Sequence, residues 1–363
     1  MAPPLKVLFL LEDLCFGGTQ RQMLELARRM DRSRFSPSIL TLTGPTDLDP
    51  QVLAAGIPLY HLGTERKLAP LFFWRLRAAL RRAAPDILVP CTALPNIWGR
   101  IWGRIIGLPV VVGTCRGGGG PVRQHERWLW SLTHHLICNS QALHEVLQGL
   151  GIPAGHLTYI PNGVDTEFFC PTGEPCSDRA PLLLCVGRLA KDKDHLTLLH
   201  AFAQILEQQP NVRLRLVGNG PEEARLRLWA DNHPAGSRVE FVPGEVDMRP
   251  HYAAASLFVL ASQREGQPNV ILEAMSSALP VCATSVGGVP HLVADGQSGL
   301  LCPAGDATAF AANCLSLLTD TTRAHRMGQT GRRIVEQEFS FHAMVEAHQD
   351  LFTRIWLSNK GQQ

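Results

Sequence analysis

Short β-rich runs alternate with amphipathic helical stretches along this chain, and the alternation happens twice. In the first half the strand candidates are KVLFLLE (6–12), SPSILTL (36–42), DILVP (86–90), PVVVGT (109–114) and HLICNS (135–140). Helical periodicity fills the spaces, as in TQRQMLELARRM (19–30) and LFFWRLRAALRRA (71–83). In the second half PLLLCVGRL (181–189), VRLRLVG (212–218), RVEFVPG (238–244), SLFVLAS (256–262) and PVCATS (280–285) repeat the pattern. Runs of this kind pack as βα units around a parallel sheet, so the chain is expected to be α/β.

The rhythm breaks at YIPNGVDTEFFCPTGEPCSDRAP (159–181), rich in Pro, Gly and Asp, where the Asn162-Gly163 pair signals a turn. A domain boundary is expected there, giving domains at 1–165 and 166–340 and a long amphipathic helix in 341–363 with Phe352 and Trp356 on its apolar side. Two such domains in tandem create a cleft, and open parallel sheets bind ligands outside the carboxyl ends of their strands.

With 363 residues, 45% of them hydrophobic and 18% charged, the chain suits two globular domains with substantial cores. A net charge of only +2 argues against a nucleic-acid partner. The charge is uneven: residues 1–165 carry 17 Lys+Arg against 11 Asp+Glu, and residues 166–363 carry 17 against 21. A basic half and an acidic half suggest different partners. The ten cysteines form no C-x-x-C pair, and Cys170 and Cys176, the nearest two, lack zinc-ligand company. They read as buried, reduced thiols of a cytoplasmic protein. The opening MAPPLKVLFLLEDL reads as a buried strand rather than a signal peptide, since Glu12 and Asp13 interrupt its apolar core. No apolar run nears the roughly 20 residues that span a bilayer, so the protein is expected to be soluble or peripheral.

Four loops after strands invite chemistry. In EDLCFGGTQRQ (12–22), Gly17 and Gly18 open the first helix, where free N–H groups suit an anion, although a plain tight turn would look the same. The motif is not G-x-G-x-x-G, which weakens a dinucleotide reading. In CVGRLAKDKDHLTLLHAF (185–202), Arg188 and Lys193 could neutralise a diphosphate or simply line a solvated basic loop. REGQPNVILEAM (264–275) sets Glu265 and Glu273 on either side of a helix start near Pro268. The N–H groups around Asn269 and Val270 would point into the cleft. Eight helical residues rise about 12 Å, roughly the separation of a sugar and a ribose across a diphosphate. Ionised carboxylates accept from paired hydroxyls, which suits Glu265 to a sugar and Glu273 to a ribose. The plainer alternative is a surface glutamate on an ordinary helix. TSVGGVPHLVADGQSGLLCPAGD (284–306) looks mainly architectural, with Asp306 as a helix cap and Gly287 and Gly288 near the cleft.

Together these residues resemble the retaining glycosyltransferases of the GT-B fold, specifically glycosyltransferase family 4, the group 1 transferases. The resemblance is carried by IPNGVDTEFF, VGRLAKDKDHLTLLHAF, LVGNGPEEARL and SQREGQPNVILEAMSSALPVCATSVGGVPHLVADGQSGLLCP. It implies two Rossmann-like domains facing across a cleft, an N-terminal acceptor domain and a C-terminal donor domain, with the last helix crossing back to the first. In the family pattern the positions of Arg188 and Lys193 hold the donor diphosphate, that of Glu265 contacts the sugar, and that of Glu273 holds the ribose. These imply a catalytic set of Arg188, Lys193 and Glu265. The implied donor contacts are Gly17, Gly18, Gly187, Gly218, Gly266, Gln267, Pro268, Asn269, Val270 and Glu273. The implied reaction moves a sugar from a UDP- or GDP-linked donor to a glycan or lipid-linked acceptor in polysaccharide or glycolipid assembly. The family generally needs no metal or other cofactor, and no D-x-D pair is placed to bind one.

Two departures stand out. Many members carry a histidine after the strand matching PVVVGT; here Thr114, Cys115 and Arg116 precede Gly117–Gly120, which makes Arg116 an acceptor-side candidate. The usual glycine after the lysine is Asp194. His134 and His135 read as structural. KLAPLFFWRLRAALRRAAP (67–85) and NIWGRIWGRIIGLP (96–109) combine arginines with aromatics. They pack on the sheet as ordinary helices or rest on an anionic membrane at the inner face. A sugar-nucleotide epimerase and a non-catalytic nucleotide-sugar-binding partner are the competing readings.

Overall fold

The computed structural model describes residues 3–63, 70–116, 125–171, 180–244 and 247–361. Gly117–Gly120 and Cys176 lie outside the described residues. The chain divides into two compact units, Met1–Asn162 with Phe341–Gln363, and Gly163–Ser340.

In the first unit the strands are β1 Leu5–Leu11, β2 Phe35–Thr41, β3 Leu59–His61, β4 Ile87–Pro90, β5 Val110–Cys115, β6 His135–Cys138 and β7 Leu157–Tyr159. They pair in parallel in the order β3-β2-β1-β4-β5-β6-β7. The helices are α1 Gly18–Arg29, α2 Asp49–Ala54, α3 Pro70–Ala83, α4 Ala93–Ile105, α5 Glu126–Leu129 and α6 Gln141–Gly149. Strand side chains alternate between faces. Val7, Phe9 and Leu11 of β1 therefore join Met23 of α1 on one side. Leu8 and Leu10 join Phe72 and Leu76 of α3 on the other.

The second unit holds β8 Leu182–Val186, β9 Arg213–Val217, β10 Val239–Val242, β11 Leu257–Leu260, β12 Val281–Thr284 and β13 Gly299–Cys302. Their parallel order is β10-β9-β8-β11-β12-β13. Its helices are α7 His195–Gln208, α8 Glu223–Asn232, α9 Arg249–Ala254, α10 Asn269–Ser276, α11 Ala307–Thr319 and α12 Thr321–Glu338. Asp306 caps α11 by accepting from the Ala309 N–H at 2.9 Å. The last helix, α13 Phe341–Lys360, packs in the first unit, as the resemblance implies. Phe341, Met344, Phe352 and Ile355 are buried in that core with Trp356 against them. The Gln349 side chain accepts from the Asp31 N–H at 2.7 Å, and Asn359 donates to the Pro109 carbonyl at 2.8 Å.

Each sheet reverses direction once, between β1 and β4 and between β8 and β11. A reversal of strand order opens a crevice at the carboxyl edge. Strands β3, β7 and β13 escape the sequence reading. The first two have three residues each at sheet edges, and the third lies in a glycine-rich stretch read as turns.

The basic-aromatic helices are mostly sheet-packing helices. Arg100, expected among the solvated arginines, is fully buried and pairs with Glu126 at 2.6 Å while donating to Asn96. Its neighbours Phe72 and Trp98 pack inward. The exposed remainder is Leu71, Trp74 and Ile105 with Arg75, Arg81, Arg82 and Arg104. The thiols correct a second expectation: Cys15 and Cys170 are exposed, whereas Cys91, Cys115, Cys138, Cys185, Cys282, Cys302 and Cys314 are buried. His134 accepts from the Val111 N–H, and His135 bonds to the Thr158 hydroxyl; both roles are structural.

Candidate functional site

The crevice between β8 and β11 gathers most of the expected residues in the second unit. At the end of β8, Gly187 donates to the Val217 carbonyl at 3.0 Å. Gly218, just past β9, has φ +146, and a Cβ there would lie 2.0 Å from the Gly187 carbonyl oxygen. Only glycine lets these two strand ends approach so closely. Arg188 follows, exposed, with a 3.5 Å contact to Asp192 that leaves its guanidinium largely in solvent.

A 3-10 turn over Lys191–Lys193 then carries the lysine back toward the crevice. The turn ends on Asp194 in the left-handed conformation, φ 47 and ψ 48. That conformation is where the family pattern has glycine. Aspartate tolerates it when its side chain bonds locally. Here Asp194 caps α7, accepting from the Thr197 hydroxyl at 2.7 Å and its N–H at 3.4 Å. Gln263, from the loop after β11, donates to Asp194 through its side chain and to the Asp192 carbonyl through its backbone. The two loops are thereby tied together.

The tie places Lys193 Nζ 2.5 Å from Glu265 Oε1. Ser262, fully buried, donates to the same oxygen at 2.7 Å. Glu265 is thus a nearly buried carboxylate held by one cation and one hydroxyl. Gly287 supports it from behind: its φ is +52, and a Cβ there would fall 1.8 Å from the Glu265 carbonyl oxygen. Gly266 and Gln267 are buried in the same loop.

Pro268 is the N-cap of α10, which begins at Asn269, and no side chain caps that helix end. Val270 lies in its first turn and is partly exposed. One turn later Glu273 is buried, and Tyr252 of α9 donates to its Oε2 at 2.8 Å. A carboxylate has about four acceptor positions. Tyr252 takes one of them and so orients Glu273. His195, the first residue of α7, is buried; burial first, and then the Lys193 charge, pull its pKa down to about 4. It is neutral at pH 7.

Gly17, Gly18 and Arg116 belong to the other unit. Gly17 is the N-cap of α1 with extended backbone, φ −163, which any residue adopts; Gly18 is the first helical residue, and no side chain caps this end. Arg116 lies just past β5, and its Nη1 donates to Asn162 Oδ1 at 2.8 Å. At the β1/β4 reversal Thr92 has φ +64, an uncommon conformation for a β-branched residue, and its hydroxyl accepts from the Glu12 N–H.

Sequence reasoning missed three residues that hold the acids in place, Ser262, Gln263 and Tyr252, and put Gly287 near the cleft without a role. Tyr252 comes from a different element, 21 positions before Glu273, and no local motif links them. Among the described residues no three His, Cys, Asp or Glu side chains converge in a way that could hold a metal ion.

Known proteins resemble this chain in sequence and in fold. Residues 174–334 match the family Glycosyl transferases group 1, and residues 16–168 match Glycosyltransferase Family 4. The lipopolysaccharide core biosynthesis glycosyltransferase LpsE of Rhizobium meliloti is 28% identical over 299 residues, 80% of this chain and 82% of LpsE. A GDP-mannose-dependent alpha-(1-6)-phosphatidylinositol monomannoside mannosyltransferase of Mycolicibacterium smegmatis is 31% identical over 199 residues. That match covers 50% of this chain and only 52% of the mannosyltransferase. Among solved structures, HepE of Anabaena in complex with UDP has a TM-score of 0.84 at 22% identity, covering 96% of this chain and 100% of HepE. Sucrose-phosphate synthase of Thermosynechococcus elongatus has a TM-score of 0.83 at 22% identity, covering 97% and 100%. These likenesses identify the fold as GT-B. The chain belongs to the group 1 glycosyltransferases of glycosyltransferase family 4.

Proposed function

We propose that this protein transfers a sugar, with retention at the anomeric carbon, from a nucleoside-diphosphate sugar to a glycan or lipid-linked acceptor in polysaccharide, lipopolysaccharide or glycolipid assembly. The observation that carries the reading is the pair of buried carboxylates, Glu265 and Glu273, in the segment after β11, with Lys193 bound to Glu265 and Arg188 just past β8. LpsE acts in lipopolysaccharide core biosynthesis, and HepE was solved with UDP. Both support the donor and pathway classes.

On this reading Arg188 and Lys193 meet the negative charge that grows on the departing diphosphate. Preorganised cations do so without reorganising solvent. Lys193 is held in place by Glu265, and Glu265 accepts from hydroxyls of the sugar. Glu273, oriented by Tyr252, accepts from the ribose. The bond from the anomeric carbon to the diphosphate oxygen breaks while a bond to the acceptor oxygen forms. The acceptor proton passes to the departing diphosphate on the same face. No resident metal or other cofactor is required, so activity should survive a chelator. The acceptor binds the first unit. The exposed Leu71, Trp74, Arg75, Arg81 and Arg82 would rest on an anionic membrane at its cytoplasmic face, since basic residues beside aromatics favour that surface. No described helix is long and apolar enough to cross a membrane. Binding to anionic liposomes at low salt, lost in Trp74→Ala with Arg81→Ala, checks the contact.

The primary test is calorimetric titration with UDP- and GDP-sugars. One base class should bind, and Arg188→Ala and Glu273→Ala should each weaken it. Unchanged donor affinity in both variants would overturn this site.

A further inference from the structure

Arg116 is a part-buried cation in the first unit with at least three of its five N–H donors unused. Asn162 Oδ1 accepts from Nη1 at 2.8 Å, and the same oxygen accepts from Asn139 Nδ2 at 3.2 Å. The other edge of the guanidinium is different. Nε and Nη2 are both shielded from solvent, and neither has a hydrogen-bond partner. Nor does Asn139 Oδ1, which is equally buried.

The surroundings supply no counter-charge. The groups that act on Arg116 electrostatically are the thiols of Cys91 and Cys138. Burial pushes Cys91 up to about 11 and Cys138 up to about 12, so both are neutral at pH 7. His348, which feels the Arg116 charge, is pulled down to about 3 chiefly by burial and is neutral as well. Among the described residues no carboxylate pairs with Arg116. An uncompensated buried charge is costly, and proteins meet that cost with a partner. By contrast, Arg100, in the same unit, has its partner in Glu126.

We propose that the Nε/Nη2 edge of Arg116 receives an oxyanion carried by the acceptor, a phosphate or a carboxylate. Nε–H and Nη2–H point the same way and form the planar fork that fits two oxygens of one anion. Asn162 fixes the fork by its opposite end. The acceptor class is therefore a phosphorylated or uronic sugar or polyol. Assigning the anion to the acceptor rests on the transferase reading; the existence of the fork does not.

The test is calorimetric titration of the full chain with inorganic phosphate and with glucuronate, each with and without saturating UDP or GDP. Wild-type protein should bind at least one of the two anions, and the nucleotide should not displace it. The preferred anion separates a phosphate source from a carboxylate source. Arg116→Met should weaken binding at least tenfold without lowering the melting temperature, because no carboxylate loses its partner. Asn162→Asp sets a carboxylate against the guanidinium and should weaken anion binding while leaving nucleotide affinity unchanged. Wild-type anion affinity in both variants would overturn the proposal. So would a wild-type protein that binds neither anion, or an Arg116→Met chain that fails to fold. Displacement by nucleotide would reassign the fork to the donor. Retained anion binding with no binding of any nucleotide sugar would sink the transferase reading and leave the fork standing.

Discussion

The two units are built on one plan and use it in opposite ways. Both have parallel sheets that reverse strand order once. At the carboxyl edge of the second, the two acids are held: Lys193 meets Glu265, and the Tyr252 hydroxyl donates to Glu273. In the first, the fully buried Arg100 is matched with Glu126, and the part-buried Arg116 is left with an open edge. Topology supplies a crevice in each case, and the side chains that reach it decide what it can hold. An acid-lined crevice suits hydroxyls, and an open guanidinium suits an anion. The uneven charge along the chain follows the same division.

Four experiments would break or sharpen this contrast. The largest effect is expected from Glu126→Ala, which strands the fully buried Arg100. Removing one partner of a buried pair typically costs about 3–5 kcal/mol. Urea unfolding should show the loss in the first unit while nucleotide binding persists. A loss shared equally by both units would contradict their independence. Next is Glu265→Ala, which removes both the sugar acceptor and the partner of Lys193. Turnover should fall roughly 100- to 1000-fold, the usual scale for one preorganised electrostatic group. Steady-state assays with the donor that the calorimetric titration selects would measure it, and near-normal turnover would remove Glu265 from the mechanism.

Acid should then separate the units. His135 and His348 in the first unit are pulled down to about 4 and about 3 by burial, and His195 in the second to about 4. A histidine whose folded pKa is depressed stays neutral in the native protein while the unfolded chain takes up a proton below about pH 6.5. Its stabilising effect is present above that pH and is lost as the pH falls toward the folded value. His134 in the first unit is lowered by burial as well, so with three such groups against one the first unit should unfold at the higher pH. Tryptophan fluorescence can follow it, because every tryptophan but Trp229 belongs to that unit. The smallest effect is expected from Tyr252→Phe, which deletes one hydrogen bond to a carboxylate, worth about 1.5–3 kcal/mol. Donor KM should rise roughly tenfold or more with kcat less affected. An unchanged KM would show that Glu273 needs no orienting partner.

Much of the fold was legible in the residues. The βα alternation placed ten strands close to their observed positions: the buried central ones, such as β4, β8 and β11, are continuous apolar runs, and β2, β9 and β10 were found by their regular spacing between helical stretches. Edge strands β3 and β7 were not legible, since three residues carry no periodicity. Within the site, Arg188, Lys193 and Glu265 stood out as candidates because each lies in a loop that follows a strand, and Glu273 because of its spacing from Glu265; the fold puts Glu273 in the middle of α10. The status of Arg100 was not. On its own helix it has the same spacing as solvated arginines, and its burial depends on Glu126, 26 positions away.

The sequence alone determined the class of the fold and the break between its halves, and it singled out candidate loops, since these depend on local pattern and on residue type. Tertiary structure alone decided which charges are paired. Pairing depends on distances of a few ångströms between residues far apart in the chain. Tyr252 with Glu273, Gln263 with Asp194 and Gly287 with Glu265 are joined by the packing of separate elements. Arg116 likewise became distinctive only once its surroundings proved to be neutral.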